Sequence, residues 1–443
     1  MQSKFVTASI NAIPSTSSPE SRFQPTIETY VRIKPLKMLS SIHILMDSIV
    51  NLIEESQKTN KTNLLPKILK LNSSQSDVFD NVVRKRIINF VKGENSTVIV
   101  YGMPQSGKTY TFIGNQDNPG IVPHAIKLLF SMVKCDTNPR YKVNMKNEID
   151  PLDSLDHYSL RRRHAYINYE NIGIDTCVEA QLYFDHLDAS VLMSEDRFWD
   201  SEKDLFSVWI SLVKVCPSGY IDTFDTDNIY YDRYSGNTLR VTTYESAEFR
   251  NVTTALDACQ LLISALNRNN YNRVVHGIIL TIKLLKYPPN YTPKCQESAP
   301  VHCSTMTFYD FNSESQFVTQ DAMLANEYNF SEIFNANMKY IKAFTESNSG
   351  SIYNIFSSYT KFLRQELLSR QSLSFIATIN IDALSNMLIL HDLAILKSWY
   401  LNSEERQRND TLEAAQPETS KDDEKRTAEC IHDLVESWKS RNP

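Results

Sequence analysis

The stretch "VIVYGMPQSGKTYTFIG", residues 98–114, decides the reading of this chain. A β-branched run leads into Gly102, four residues follow, and Gly107, Lys108 and Thr109 close the pattern. The run predicts a strand over 97–101, and the residues from about 107 predict a helix. A glycine-bearing turn in that context lets successive backbone N–H groups converge on phosphate oxygens. Lys108 would reach the terminal phosphates and the Thr109 hydroxyl would ligate Mg2+. The alternative is an ordinary tight turn with a solvated lysine. Pro104 inside the turn has no N–H, which removes one donor from the cradle.

Working outward, "SDVFDNVVRKRIINFVKGEN" places Val78, Val82, Val83, Ile87 and Phe90 at helical spacing and stops at Gly93, so one amphipathic helix is expected before the strand. "NPGIVPHAIKLLFSMV" restarts a helix after Pro119 and Gly120. "TIETYVRIKP" reads as a first strand ended by Pro35. Further strands are expected in "VVHGIILTIKLLKY", "CSTMTFYDFNSES" and "LSFIATINI", and helices in "TTALDACQLLISALNRN", "IYNIFSSYTKFLRQELLS" and "MLILHDLAILKSWYL". Between about 135 and 235 short apolar runs alternate with acidic loops, read as strands and inserted loops. Strands alternating with helices imply an α/β core, a central mostly parallel sheet with helices on both faces.

Composition bounds the rest. The 443 residues are 42% hydrophobic, enough for a sizeable core. Residues 1–25, rich in Ser, Thr and Pro, are expected to form a disordered leader, and 402–443 a charged, mostly disordered tail. A formal charge of −6 argues against a general nucleic-acid binder. Seven scattered cysteines suit reduced thiols, no apolar run is long enough to span a bilayer, and no heptad repeat follows the core.

The flanks of the loop carry a resemblance. Val78-Phe79, the run "KGENSTVIVYGMPQSGKTYTFIG" and Gly120-Ile121-Val122-Pro123 together resemble a kinesin motor domain. "VRIKP" is similar to the family's Arg-x-Arg-Pro segment, with Arg32, Lys34 and Pro35 in place, and Tyr110 matches the ring position that stacks on the base. The resemblance covers about residues 27–400, strongest at 78–130 and weak between 135 and 235, and places a motor domain at 26–401. It implies a P-loop NTPase fold of kinesin type. It also implies ATP or ADP with Mg2+ as cofactors, held by Gly102, Met103, Pro104, Gln105, Ser106, Gly107, Lys108, Thr109, Tyr110, Arg32, Lys34 and Pro35. Thr109 and Asp310 would serve the metal. Microtubules are the implied partner, beside a cargo or scaffold the sequence does not name, with a cytoplasmic, cytoskeletal location.

The two switch motifs depart from the family. Where kinesins carry Asn-x-x-x-Ser-Ser-Arg-Ser-His, this chain reads "NNYNRVVHGII": Asn269 and His276 remain, Asn272 and Arg273 replace the two serines, and Val274 replaces the arginine. A one-residue slip restores an arginine as Arg273 but not the serines. Where kinesins carry Asp-Leu-Ala-Gly-Ser-Glu, "DFNSES" keeps Asp310, puts Ser313 at the glycine and Ser315 at the glutamate, with Glu314 adjacent as a substitute after a local shift. Asp310, Glu314 and Arg273 are therefore the catalytic candidates; for Asp310 the phosphate loop favours a water-mediated Mg2+ contact over a strand-end cap, and His276 reads as a core or strand-edge histidine rather than a catalytic one. The tubulin-facing stretch "YNIFSSYTKFL" keeps Lys361 but loses most family cations; Lys339, Lys342, Lys361 and Arg364 are either a reduced patch or solvated helix faces, and "RRRH" at 161–164 a loop flank or a docking site. The expected function is a divergent kinesin-like motor with impaired hydrolysis, or alternatively a nucleotide-binding, microtubule-associated scaffold without productive turnover.

Overall fold

The structure, a computed structural model, describes residues 27–34, 67–69, 73–102, 106–158, 160, 174–187, 204–216, 219–224, 229–232, 236–239, 244–267, 277–289, 301–312 and 372–379. The leader, the tail, residues 269–276 of the first switch and 313–315 of the second, the run at 161–164, the tubulin-facing stretch and the expected helices in 352–369 and 387–401 lie outside these residues, as do the domain limits at 25/26 and 401/402.

In chain order the elements that position the site are β1 (Ile27–Ile33), β2 (Lys67–Ile68), α1 (Gln75–Val82), α2 (Arg84–Val91), β3 (Ser96–Gly102), α3 (Lys108–Phe112) and α4 (Ile121–Met132). The hairpin β4 (Tyr141–Val143) and β5 (Ile149–Pro151), helix α5 (Ile174–Asp185) and strands β6 (Leu205–Cys216), β7 (Gly219–Asp222), β8 (Ile229–Asp232), β9 (Gly236–Leu239) and β10 (Arg250–Val252) follow. Helix α6 (Ala255–Asn267) then precedes β11 (Gly277–Tyr287), β12 (His302–Asn312) and β13 (Ser372–Ile379). The main sheet runs β10-β6-β11-β12-β3-β13-β1-β2, with β7 paired to β6. It is mixed. Around β3 the pairs are parallel, β12 with β3, β13 with β3 and β1 with β13, as expected. From β12 outward, β11, β6 and β10 are antiparallel.

Strand periodicity sorts the core. Val98 and Val100, Met306 and Phe308, Leu280, Ile282 and Leu284, and Val208, Ile210 and Leu212 share one face, where α1, α2, α4, α5 and α6 bury Phe79, Phe90, Ile126, Leu129, Ala180 and Leu262 against them. The intervening residues Ile99, Tyr309 and Phe375 are buried as well. At the β6 and β11 end the β4–β5 hairpin covers that second face, packing Tyr141 and Val143 with Trp209, Leu285 and Tyr287. The described helices contribute to the first face; a helical layer on the second would fall on residues outside the described ones.

Two local expectations change. The single helix before β3 is two, broken at Val83, whose φ and ψ are −109° and −37°. Its buried positions pair off as Val78-Phe79, Val82-Val83, Arg86-Ile87 and Phe90-Val91, a repeat of four. Against 3.6 residues per turn such a stripe drifts about 40° each turn, and the irregular turn takes up the drift. Helix α5 also lies in the segment read as strands and loops, beginning at the end of the apolar run "HAYINYENIGI".

Candidate functional site

Parallel pairing brings several strand C-termini to one edge. Gly102 closes β3 opposite Asn312 of β12 and Thr378 of β13, and Thr378 in turn sits opposite Arg32 of β1. In open α/β sheets such an edge is where ligands bind. The phosphate-loop candidates enter here. Gly102 is required by close approach: a Cβ there would stand 2.6 Å from Thr378 Oγ1 and 2.8 Å from Ser106 Oγ. Ser106 Oγ and Thr378 Oγ1 are hydrogen-bonded at 2.6 Å, and Thr378 donates to the Tyr101 carbonyl at 3.3 Å, so β13 braces the loop from behind. Gly107 is required by conformation instead. It caps α3 with φ 98°, a left-handed value, and a Cβ there would meet nothing within 4 Å. Among the described residues, then, nothing stands close against Gly107, while Ser106 is braced from behind.

Lys108 and Thr109 begin α3 beside Asp310 of β12. Thr109 Oγ1 donates to Asp310 Oδ2 at 3.1 Å. Lys108 and Asp310 are both 6% exposed. Burial pulls the Lys108 ammonium down to about 8, opposed by the Asp310 charge. Burial pushes the Asp310 carboxyl up to about 6, opposed by Lys108 and by the Thr109 hydroxyl. Among the described residues no group of three or more His, Cys, Asp or Glu side chains converges on a metal position. The hard oxygens of Thr109 and Asp310 suit Mg2+, which takes few protein ligands and completes its shell with water and phosphate oxygens. The residues present therefore fit the implied metal nucleotide: Lys108 for phosphate charge, Thr109 and Asp310 for the cation.

Beside the loop lies a second cluster. Tyr110 is 42% exposed, and the Arg32 guanidinium lies over its ring, 5.4 Å from the centroid. Arg32 Nη1 donates to Gln75 Oε1 at 2.7 Å and to Thr111 Oγ1 at 2.9 Å; Thr111 Oγ1 donates to the Gly107 carbonyl at 2.9 Å. Gln75 Nε2 donates to the carbonyls of Tyr110 at 2.5 Å and Asn118 at 3.4 Å. Lys34 follows β1 as an exposed residue. Past α3, Gly114, with φ 80°, turns the chain into α4, where Pro123 occupies the first turn and needs no N–H. There His124 Nδ1 meets the Gly120 carbonyl at 2.7 Å and its ring stacks on Phe79 at 5.3 Å.

The structure thus brings together Gly102, Ser106, Gly107, Lys108, Thr109, Tyr110, Arg32 and Asp310. Met103, Pro104, Gln105, Pro35, Arg273 and Glu314 lie outside the described residues. Sequence reading missed Gln75 and Thr378. Gln75 follows the Ser74 helix start, three residues before Val78-Phe79, and its position relative to that pair is a usable signal; Thr378 carries none, because it meets the loop only through strand order.

A loop between β3 and α3 at the C-terminal edge of parallel strands, with Lys, Thr and Asp converging on it, defines a P-loop nucleotide-binding fold. Residues 26–165 match the kinesin motor domain family. The chain is 34% identical over 110 residues to a kinesin-like protein, KIN-14T, of Arabidopsis thaliana, which is 24% of this chain and 13% of that protein. It is 36% identical over 81 residues to the kinesin-related protein SMY1 of Saccharomyces cerevisiae, 18% of this chain and 12% of that one. The matched stretches are thus about an eighth of the length of these relatives. A solved structure described as kinesin 6 superposes with a TM-score of 0.50 over 82% of this chain and 97% of its own, at 16% identity, a likeness of fold alone. Residues 26–165 are thus similar to the kinesin motor-domain family, and the chain as a whole is kinesin-like in fold. Among the described residues no helix is long and apolar enough to cross a membrane.

Proposed function

We propose that the chain is a kinesin-type module that binds an adenine nucleotide with Mg2+, associates with microtubules in the cytoplasm, and holds the nucleotide better than it hydrolyses it. The observation that carries the reading is the convergence of Lys108, Thr109 and Asp310 at the start of α3, next to a Ser106 braced by Thr378. Lys108 would balance phosphate charge, Thr109 and Asp310 would hold the cation, and Tyr110 with Arg32 would take the base. When bound, Mg2+ supplies charge neutralisation on the transferring phosphoryl group.

Hydrolysis asks for more than holding. The attacking water must be positioned, and in the family that work belongs to the switch serines and an arginine–glutamate pair. Here Asn272, Arg273 and Val274 stand in the first segment and Ser313, Glu314 and Ser315 in the second. Contacts made only as the γ-phosphate departs lower the barrier, and each 1.4 kcal/mol lost is about tenfold in rate. Losing two or three slows turnover by orders of magnitude while ground-state affinity survives. This same departure favours a second reading, a nucleotide-binding microtubule-associated scaffold without productive turnover.

The test is phosphate release at saturating MgATP, with and without microtubules, beside Lys108→Ala. The expected result is a thermal shift with MgADP, worth about 2.7 kcal/mol at a hundredfold over Kd, absent in Lys108→Ala, with turnover far below one per second. Microtubule-stimulated turnover of several per second overturns the impaired-hydrolysis reading and implies that Arg273 and Glu314 rebuild the switch pair. A wild-type melt unmoved by either nucleotide overturns the binding reading itself.

A further inference from the structure

Gln75 is buried beside both groups that would meet the base, and its side chain hydrogen-bonds to each residue. It is the first residue of α1, 5% exposed, and its place is fixed by a reciprocal cap: Ser74 Oγ accepts from the Asp77 N–H at 3.0 Å and Asp77 Oδ2 accepts from the Ser74 N–H at 2.8 Å. From there its amide works in both directions. The oxygen accepts from Arg32 at 2.7 Å, and the nitrogen donates to the backbone carbonyl of Tyr110 at 2.5 Å and of Asn118 at 3.4 Å. Arg32 is thereby kept over the Tyr110 ring, whose 42% exposure leaves it reachable from outside. No other side chain of this length presents an acceptor and two donors at one end: glutamate keeps only acceptors, methionine neither, and asparagine falls one methylene short.

We propose that Gln75 is a positioning residue for the nucleobase: its side-chain amide locks the Arg32 guanidinium and the Tyr110 ring in one arrangement, so that affinity for the base half of a nucleotide depends on it while affinity for the phosphate half does not. The inference rests on the nucleotide-binding reading above. It adds a third element, α1, to a site otherwise made by β1 and the β3–α3 connection. It also gives the Ser74–Asp77 cap a role beyond starting a helix.

A buried glutamine that merely satisfied neighbouring carbonyls would affect folding stability or both ligand halves alike, so the experiment separates the halves. Binding of MgADP and of magnesium tripolyphosphate, which has no base, is measured by calorimetry for the wild type, Gln75→Met and Gln75→Glu. Losing one charge-assisted hydrogen bond corresponds to about tenfold in affinity. Gln75→Met should therefore weaken MgADP about tenfold and leave tripolyphosphate within about twofold. Gln75→Glu, which keeps the acceptor for Arg32, should fall between. In a Tyr110→Ala background, where the ring is gone but the core is untouched, Gln75→Glu should change MgADP affinity less than about twofold. Should Gln75→Met not fold, the Gln75→Glu pair decides alone. Equal loss of both ligands, or no loss of either, overturns the inference and leaves nucleotide binding standing. Wild-type protein that binds neither removes the underlying reading as well.

Discussion

The two halves of the main sheet use their hydrogen bonds for different ends. In the half built from β12, β3, β13 and β1 all four strands run the same way, so their C-termini meet at one edge and deliver Asp310, Gly102, Thr378 and Arg32 to a common neighbourhood. In the half built from β12, β11, β6 and β10 neighbours alternate in direction, and β11 pairs with β6 over its whole length, from Gly277 opposite Val215 to Tyr287 opposite Leu205. Among the described residues, none of the candidate site residues lies in that half beyond β12. It gathers burial instead, down to Lys283, 1% exposed, whose ammonium is spent on the carbonyls of Asn144 and Met145 and the side chain of Asn147 in the β4–β5 turn. The difference teaches that strand direction, more than composition, sets which part of this sheet can carry a ligand and which part supports it.

If that division holds, substitutions in the two halves should have opposite signatures. The largest effect is expected in the antiparallel half. Leu212 is fully buried in β6, and Leu212→Ala should cost about 2–5 kcal/mol in urea unfolding through lost burial and the cavity left behind. The MgADP affinity of the folded protein should stay unchanged. A loss under about 1 kcal/mol would mean that this half is not the support described.

Next in size, and opposite in sign, is Asp310→Asn. Because burial raises the Asp310 pKa from 3.8 to about 6 even with Lys108 beside it, ionising it opposes folding. The stabilising contribution of the protonated form is complete below pH 3.8 and is lost as pH rises through about 6. At pH 7 the nucleotide-free Asn variant should therefore be more stable than wild type by about 1–3 kcal/mol, with the gap closing towards pH 4, while its Mg2+-dependent nucleotide affinity falls. A variant less stable than wild type at pH 7 would break the contrast. The smallest effect belongs to Gly107→Ala. With nothing within 4 Å to meet among the described residues, the methyl group costs the left-handed backbone at φ 98°, about 1 kcal/mol, read as a small drop in Tm.

The site was legible in the sequence to the extent that its residues are neighbours in the chain. Gly102 to Tyr110 declare themselves because the strand, turn and helix that aim them are consecutive, and the same holds for α4 behind Gly120. Asp310 was legible as the polar end of an apolar strand. What sequence could not supply is lateral order. Nothing in "LSFIATINI" says that β13 inserts between β3 and β1, so neither the Thr378–Ser106 brace nor the clash that makes Gly102 obligatory was readable. The parallel expectation failed to extend past β12 for a related reason. The apolar runs of β11 and β6 reflect burial on both faces, and burial does not encode direction. Gln75 was passed over because a polar residue at a helix start looks like part of the cap.

The position of β13 also constrains how the protein is made. Ser106 and Thr378 touch across 272 residues of sequence. At about 5–20 residues per second, a ribosome places the second roughly a quarter-minute to a minute after the first. Since β13 is the strip that joins β3 to β1, the nascent chain spends that interval with two strand edges bare, each able to pair with another polypeptide. A chain cut short before residue 372 would keep every residue from Gly102 to Tyr110 and still lack the brace behind them.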